Sequence, residues 1–109
     1  MNDKYILDGK AAVKVDLMTW ARWYEKAERR VAESHNDKVR VSTVFLGLDH
    51  SFGRGEPLLF ETMIFGGEHD QYQDRCSTWE QAEAMHRKAC ELAGVPSAAD
   101  SRTNSTKGE

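Results

Sequence analysis

The apolar positions of this chain follow two periods, and the changes between them divide it into elements. Apolar runs flank Asp8-Gly9 within Tyr5-Ile6-Leu7-Asp8-Gly9-Lys10-Ala11-Ala12-Val13-Lys14-Val15. Asp-Gly suits the positive φ angles of a tight turn, so a short strand, a turn and a second short strand are predicted. Asp16 stands where a helix N-cap belongs, its carboxylate within reach of the Met18 and Thr19 amides. From there Leu17, Trp20, Ala21, Tyr24, Ala27 and Val31 recur at spacings of three and four. That places them on one buried face of a helix running to about Glu33, ended by the polar turn Ser34-His35-Asn36-Asp37. Trp23 falls off this stripe beside Arg22 and Lys26, and is expected to be an exposed indole that meets a second subunit or a partner.

Residues 39–48 and 58–65 are rich in β-branched and aromatic side chains and enclose Asp49-His50-Ser51-Phe52-Gly53-Arg54-Gly55-Glu56-Pro57. The pattern predicts a long antiparallel hairpin with a polar, glycine-containing tip. From 44 to 48 and from 58 to 65 both strand faces carry apolar residues, which implies cover on both sides. Two helices are few for that task, so self-association as a dimer through the second face is expected. Residues 68–75 read as a polar loop. Ser77-Thr78-Trp79-Glu80 has the spacing of a capping box, with Ser77 as the cap and Glu80 reaching back. A second helix follows through Trp79, Ala82, Met85, His86, Ala89 and Leu92, stopping at Gly94 ahead of Pro96. The expected architecture is α+β: an N-terminal β-hairpin, a helix, a long antiparallel β-hairpin and a C-terminal helix packed on the sheet. It occupies one compact domain over residues 1–94, with a disordered tail over 95–109.

Composition narrows the partners. At 109 residues the chain is sized for one core. Its 15 Lys and Arg against 18 Asp and Glu give a net charge of −3, whereas proteins that grip duplex phosphates carry a basic field, so nucleic acid is not expected as a partner. No apolar run approaches the ~20 residues of a membrane span, and the first residues lack the apolar core of a secretory signal. A cytoplasmic protein without membrane contact is expected. Cys76 and Cys90 are not spaced as CxxC and have no His at a zinc-finger interval, so two free thiols are predicted.

Several side chains stand out chemically. The hairpin tip gathers Asp49, His50, Arg54 and Glu56 beside two glycines, an acid, a base and a cation able to orient a small polar ligand or a partner's backbone. The same residues also serve simply to stop a strand and turn the chain. Glu61 interrupts an apolar run and calls for a cation, from helix one, Arg40 or Arg54, or else for a ligand. His86, beside the apolar stripe of the second helix, suits a half-buried imidazole bonded to Glu61 or to a backbone carbonyl. Arg22, Lys26, Arg29 and Arg30 form a basic stripe on helix one, interleaved with Glu25, Glu28 and Glu33 as on a solvated face. The intervals among His50, His69, His86, Asp49, Glu61 and Asp70 match no metal-ligand spacing.

Tyr5-Ile6-Leu7-Asp8-Gly9, Trp20-Ala21-Arg22-Trp23, Arg29-Arg30-Val31-Ala32, the run from Val41 to His50, the run from Pro57 to Gly67, and Ser77-Thr78-Trp79-Glu80 with His86 together resemble a family of small proteins encoded by bacteriophages and prophages. The likeness runs from about Tyr5 to Cys90. It implies a phage setting and a bacterial host cytoplasm, and carries no particular activity with it. With no nucleophile, metal or phosphate-loop motif in the chain, the expected function is a non-enzymatic phage accessory protein. It would bind a host component, a protein or a small nucleotide-like ligand, in host takeover or anti-defence, through Asp49, His50, Arg54, Glu61 and Trp23, with no metal or cofactor. The rival is a small hydrolase using Glu61 with His50 or His86. A third reading is a nucleic-acid-binding regulator using the basic stripe.

Overall fold

The computed structural model describes residues 2–97; Met1 and residues 98–109, which hold most of the expected tail, lie outside them. In chain order come β1 (Lys4–Asp8), β2 (Ala11–Val15), α1 (Leu17–Lys26), β3 (Arg30–His35), β4 (Arg40–Phe45), β5 (Phe60–Phe65), β6 (Gln73–Cys76) and α2 (Trp79–Ala93). The chain is α+β: β1 and β2 form the N-terminal hairpin, and β3-β4-β5-β6 form an antiparallel sheet in that order, with α2 packed on one face.

Local chemistry accounts for much of this. Asp8 pairs with Ala11, leaving Gly9-Lys10 as the two-residue turn with Gly9 at φ +64°. The Thr19 amide donates to Asp16 Oδ1 at 2.9 Å and caps α1. The register of β4 on β5 runs from Arg40 opposite Phe65 to Phe45 opposite Phe60, so the long hairpin forms as expected.

Four expectations about element boundaries are corrected. The first helix ends at Lys26, where Ala27 turns extended, and residues 30–35 form β3 instead of carrying the helix to Glu33. Val31 does occupy the core, but as a strand residue beside a register shift, with Ala32 and Ser34 also turned inward. Pairing here satisfies the β4 backbone along an edge that a longer helix would have left open. The polar segment before the last helix likewise forms the edge strand β6, so the long hairpin is the centre of a four-stranded sheet. The α2 cap is Thr78, one residue later than Ser77. Its Oγ1 accepts from the Gln81 amide at 3.1 Å, and Gln81 Oε1 accepts from the Ser77 and Thr78 amides. Past Gly94, Val95 folds back: its amide donates to the Cys90 carbonyl and its side chain is buried, so the packed domain extends beyond residue 94.

α2 meets the sheet through Phe60, Ile64, Val41 and Phe45 on one side and Ala82, Met85, Ala89 and Cys90 on the other. A polar cluster lies within this contact. His86 is wholly buried, with Nδ1 2.7 Å from Thr43 Oγ1 and Nε2 2.9 Å from Ser34 Oγ, and Thr43 is hydrogen-bonded onward to Thr62. A neutral imidazole offers one donor and one acceptor, and hydroxyls complement either tautomer. The expected half-buried His86 bonded to Glu61 is therefore corrected: Glu61 alternates with the inward Phe60 and Thr62, and so leaves the sheet on the opposite face. On that second face Val44, Met63 and Phe65 are half-buried. The Arg40 guanidinium lies 4.3 Å above the Phe65 ring, and Glu61, Gln73 and Arg75 are bonded across the neighbouring rows. Long charged side chains thus provide part of the cover that the apolar pattern called for.

The N-terminal hairpin docks through one carbonyl. Both the Tyr5 amide and Trp20 Nε1–H donate to Gly47 O, at 2.9 and 3.0 Å. The Asp49 amide donates to Asp3 O and Lys4 bridges Leu48, so β1 lies beside the continuation of β4. Gly47 sits at φ +78°, and a Cβ there would stand 3.1 Å from the Tyr24 ring, so only glycine fits the seam.

His86→Ala should lower stability by about 3 kcal/mol or more, because it opens a cavity and strands buried hydroxyls. Urea denaturation would show this as a lower midpoint. Replacing the whole cluster at once, with Ser34→Ala, Thr43→Val, Thr62→Val and His86→Leu, should recover much of the loss, since these four side chains then no longer leave one another unpaired.

Candidate functional site

At the hairpin tip the acid and the imidazole hold the loop itself. Asp49 Oδ1 accepts from the Ser51 amide at 2.8 Å and the Leu58 amide at 3.0 Å, closing the loop at both ends. Burial pushes the Asp49 carboxyl up, but the Ser51 and Leu58 hydrogen bonds, with His50 nearby, outweigh it and hold the group below the ordinary carboxylate range. His50 Nδ1 lies 2.9 Å from Leu48 O, and Ser51 Oγ accepts from the Gly53 amide at 3.3 Å. Of the tip residues Asp49, His50, Arg54 and Glu56, only Arg54 and Glu56 have exposed side chains without a partner among the described residues. The tip also presents Phe52, 79% exposed and at φ +56°, a left-handed conformation that costs a non-glycine residue roughly 1–2 kcal/mol.

The other expected site residues fall into place as structural groups. Glu61 is largely buried, and its Oε2 accepts from Arg75 Nη2 at 3.0 Å, Arg75 Nε at 3.1 Å and Gln73 Nε2. The cation comes from β6, not from helix one, Arg40 or Arg54. Trp23 is not an exposed indole: it is half-buried and stands edge-on to Phe45, with ring centroids 5.7 Å apart. The apolar residues that α1 does expose are Leu17, Met18 and Ala21, and Leu17 and Ala21 were expected in the core. The basic stripe is divided. Arg22 and Lys26 lie on α1, whereas Arg29 covers the Tyr24 ring at 4.4 Å and donates to Phe45 O, and Arg30, on β3, pairs with Glu28 and Glu33. Glu61 and His86, proposed as an acid–base pair, lie on opposite faces of the sheet. Among the described residues no His, Cys, Asp and Glu group has the arrangement of a metal site.

A concave site does exist, and its residues come from three separate segments. A groove of 680 Å³ opens between the N-terminal hairpin, residues 56–60 and the start of α2, a size within the range of small-molecule sites. Tyr5, Ala12, Pro57, Phe60 and Trp79 line it, with Lys10, Glu56 and Glu80 also at its surface. Trp79 packs edge-on against the buried Phe60, with centroids 6.2 Å apart, and Lys10 Nζ lies 5.8 Å above the Trp79 ring. Trp79 Nε1–H is buried without a hydrogen-bond partner among the described residues. Such a donor costs on the order of 1–3 kcal/mol until an acceptor reaches it. No local pattern marks this groove, because its walls meet only when the hairpin docks at Gly47. Compared with family models, with curated proteins and with solved structures, the chain has no match.

Both cysteines are free thiols, Cys90 buried and Cys76 at the end of β6. Burial pushes the Cys76 thiol up to about 11, against an opposing backbone hydrogen bond from Thr78. Iodoacetamide should therefore label Cys76 slowly at neutral pH and faster only as the pH approaches that value. Asp49→Ala should lower stability by about 1 kcal/mol after solvent screening. Because folding lowers the Asp49 pKa, its contribution is fully present above the unfolded value near ~3.9 and is lost as the pH falls through the folded value. Unfolding free energies of wild type and Asp49→Asn should therefore converge on acidification.

Proposed function

We propose that this chain is a non-enzymatic accessory protein, in keeping with its resemblance to phage and prophage proteins, that captures a host component in the groove beside Trp79. The observation that carries this reading is the ring-lined groove itself. It is concave, mostly apolar and edged by a few charged groups, the usual make-up of a site that holds a small molecule or a partner's side chain. The groups a hydrolase would call on are otherwise engaged: Glu61 with Arg75 and Gln73, His50 with Leu48 O, and His86 inside the core. Saturation-transfer NMR with indole and benzamide as probes tests the groove. At least one probe should bind, and binding should be lost in Trp79→Ala and in Ala11→Phe, which narrows the groove from an exposed position. Binding that survives both changes would place the site elsewhere.

The second face of the sheet favours self-association as part of the same reading. Among the described residues no helix covers Val44, Met63 and Phe65, and an apolar centre edged by Arg40, Glu33 and Arg75 has the layout of a small interface. Sedimentation equilibrium at micromolar concentration should show a species heavier than 12.4 kDa, reduced to monomer by Met63→Lys. A monomer at every concentration would count against the dimer.

A further inference from the structure

Resting on the reading of the groove as a binding site, we propose that its ligand is an organic cation with a flat or apolar body, carrying an amidinium, guanidinium or alkylammonium group. Three observations bear on the charge. The groove surface carries the carboxylates of Glu56 and Glu80 against the single ammonium of Lys10, and neither carboxylate has an ion-pair partner among the described residues. Glu80 lies in the first turn of α2, where a negative side chain complements the positive end of the helix dipole. The side-chain charge around the groove is thus negative by one, within a protein whose net charge is −3.

The second observation concerns the rings. Trp79 and Tyr5 offer aromatic surface to the groove, backed by the buried Phe60, and the Trp79 ring already has a cation over it, the chain's own Lys10 at 5.8 Å. An indole face attracts positive charge through its quadrupole. The third is where Lys10 sits. It occupies the exposed two-residue turn of the hairpin, on a long side chain with no ion pair holding it among the described residues. Lys10 can swing away, so an entering cation takes its place over Trp79 and gains Glu56 and Glu80 as counter-charges.

This arrangement makes Lys10 a competitor of a cationic ligand, whereas for a phosphate or a carboxylate it would be the principal contact. The sign of a single substitution therefore separates the two classes. The probes are benzamidinium, benzamide and benzoate, which share a ring and differ in charge, and dissociation constants are read from the Trp79 indole N–H resonance. Benzamidinium should bind most tightly and benzoate least. Lys10→Ala should tighten benzamidinium binding by about two- to fivefold, as for removal of an exposed cation–π competitor. Glu56→Gln should weaken it by a similar factor, and added salt should weaken it further. Both positions are exposed, and unchanged melting temperatures confirm that the variants fold. Equal affinity for benzamidinium and benzamide overturns the proposal, as does tighter binding of benzoate that Lys10→Ala weakens; either result leaves the groove as the binding site. If none of the three probes binds, the groove reading fails and the proposal falls with it.

Discussion

The imidazole of His86 is a polar ring sealed between a helix and a sheet, and the fold is acceptable only while both of its nitrogens are met. Ser34 on β3 and Thr43 on β4 meet that need, and Thr62 on β5 bonds Thr43 in turn. In a dry interior an unpaired polar group is far more costly than in water, so such a cluster constrains more than its net energy suggests. A slip of one residue in β4 would turn Thr43 outward and bring Ser42 or Val44 beneath the helix. The same slip in β5 would carry Glu61 into the core. Apolar packing alone is forgiving of such shifts, since Val, Ile and Phe substitute for one another at modest cost. The hydroxyl–imidazole cluster is not forgiving, and it ties the order and register of three strands to the rotation of α2.

Register at the centre of the sheet determines what happens at its end. Once β4 and β5 are aligned, the chain beyond Phe45 brings the Gly47 carbonyl to the place where Tyr5 and Trp20 both donate to it. One backbone oxygen thereby holds the hairpin and α1 together against the sheet. Trp79, set by the cap of α2, then faces the hairpin across a gap that neither element would enclose alone. The candidate site is a product of two dockings, one by helix and one by hairpin.

This division explains what could be read from the sequence. The Asp8-Gly9 turn, the Asp16 cap, the pairing of β4 with β5 and the end of α2 at Gly94 are local signals, each carried by a few neighbouring residues. β3 escaped because Val31 satisfies a helical spacing and a strand alternation at once, and only the open edge of β4 decides between them. β6 escaped because Gln73-Asp74-Arg75 has no apolar residue to mark a strand. Its reason to be ordered is the carboxylate of Glu61, whose need for a cation was legible although the source was not. Trp23 was misjudged for a related reason: a helix that stops at Lys26 packs by its C-terminal half against Phe45, a contact the full-length stripe would have rotated away. At the tip, Asp49 was legible as an acid on a loop, and its use as a clasp depended on where Leu58 returns.

The attachment of the N-terminal hairpin to Gly47 has a consequence for the order of events in the life of the chain. The hairpin and α1 leave the ribosome before β4 and β5 do, yet the carbonyl that receives them lies 42 residues beyond Tyr5, and it is in place only after β4 has found β5. Long-range closures of this kind come late in folding, and units joined through few hydrogen bonds are the first to come apart under native conditions. One wall of the groove belongs to such a unit. Undocking of the hairpin would remove that wall, so the groove keeps its shape only as long as the seam at Gly47 holds.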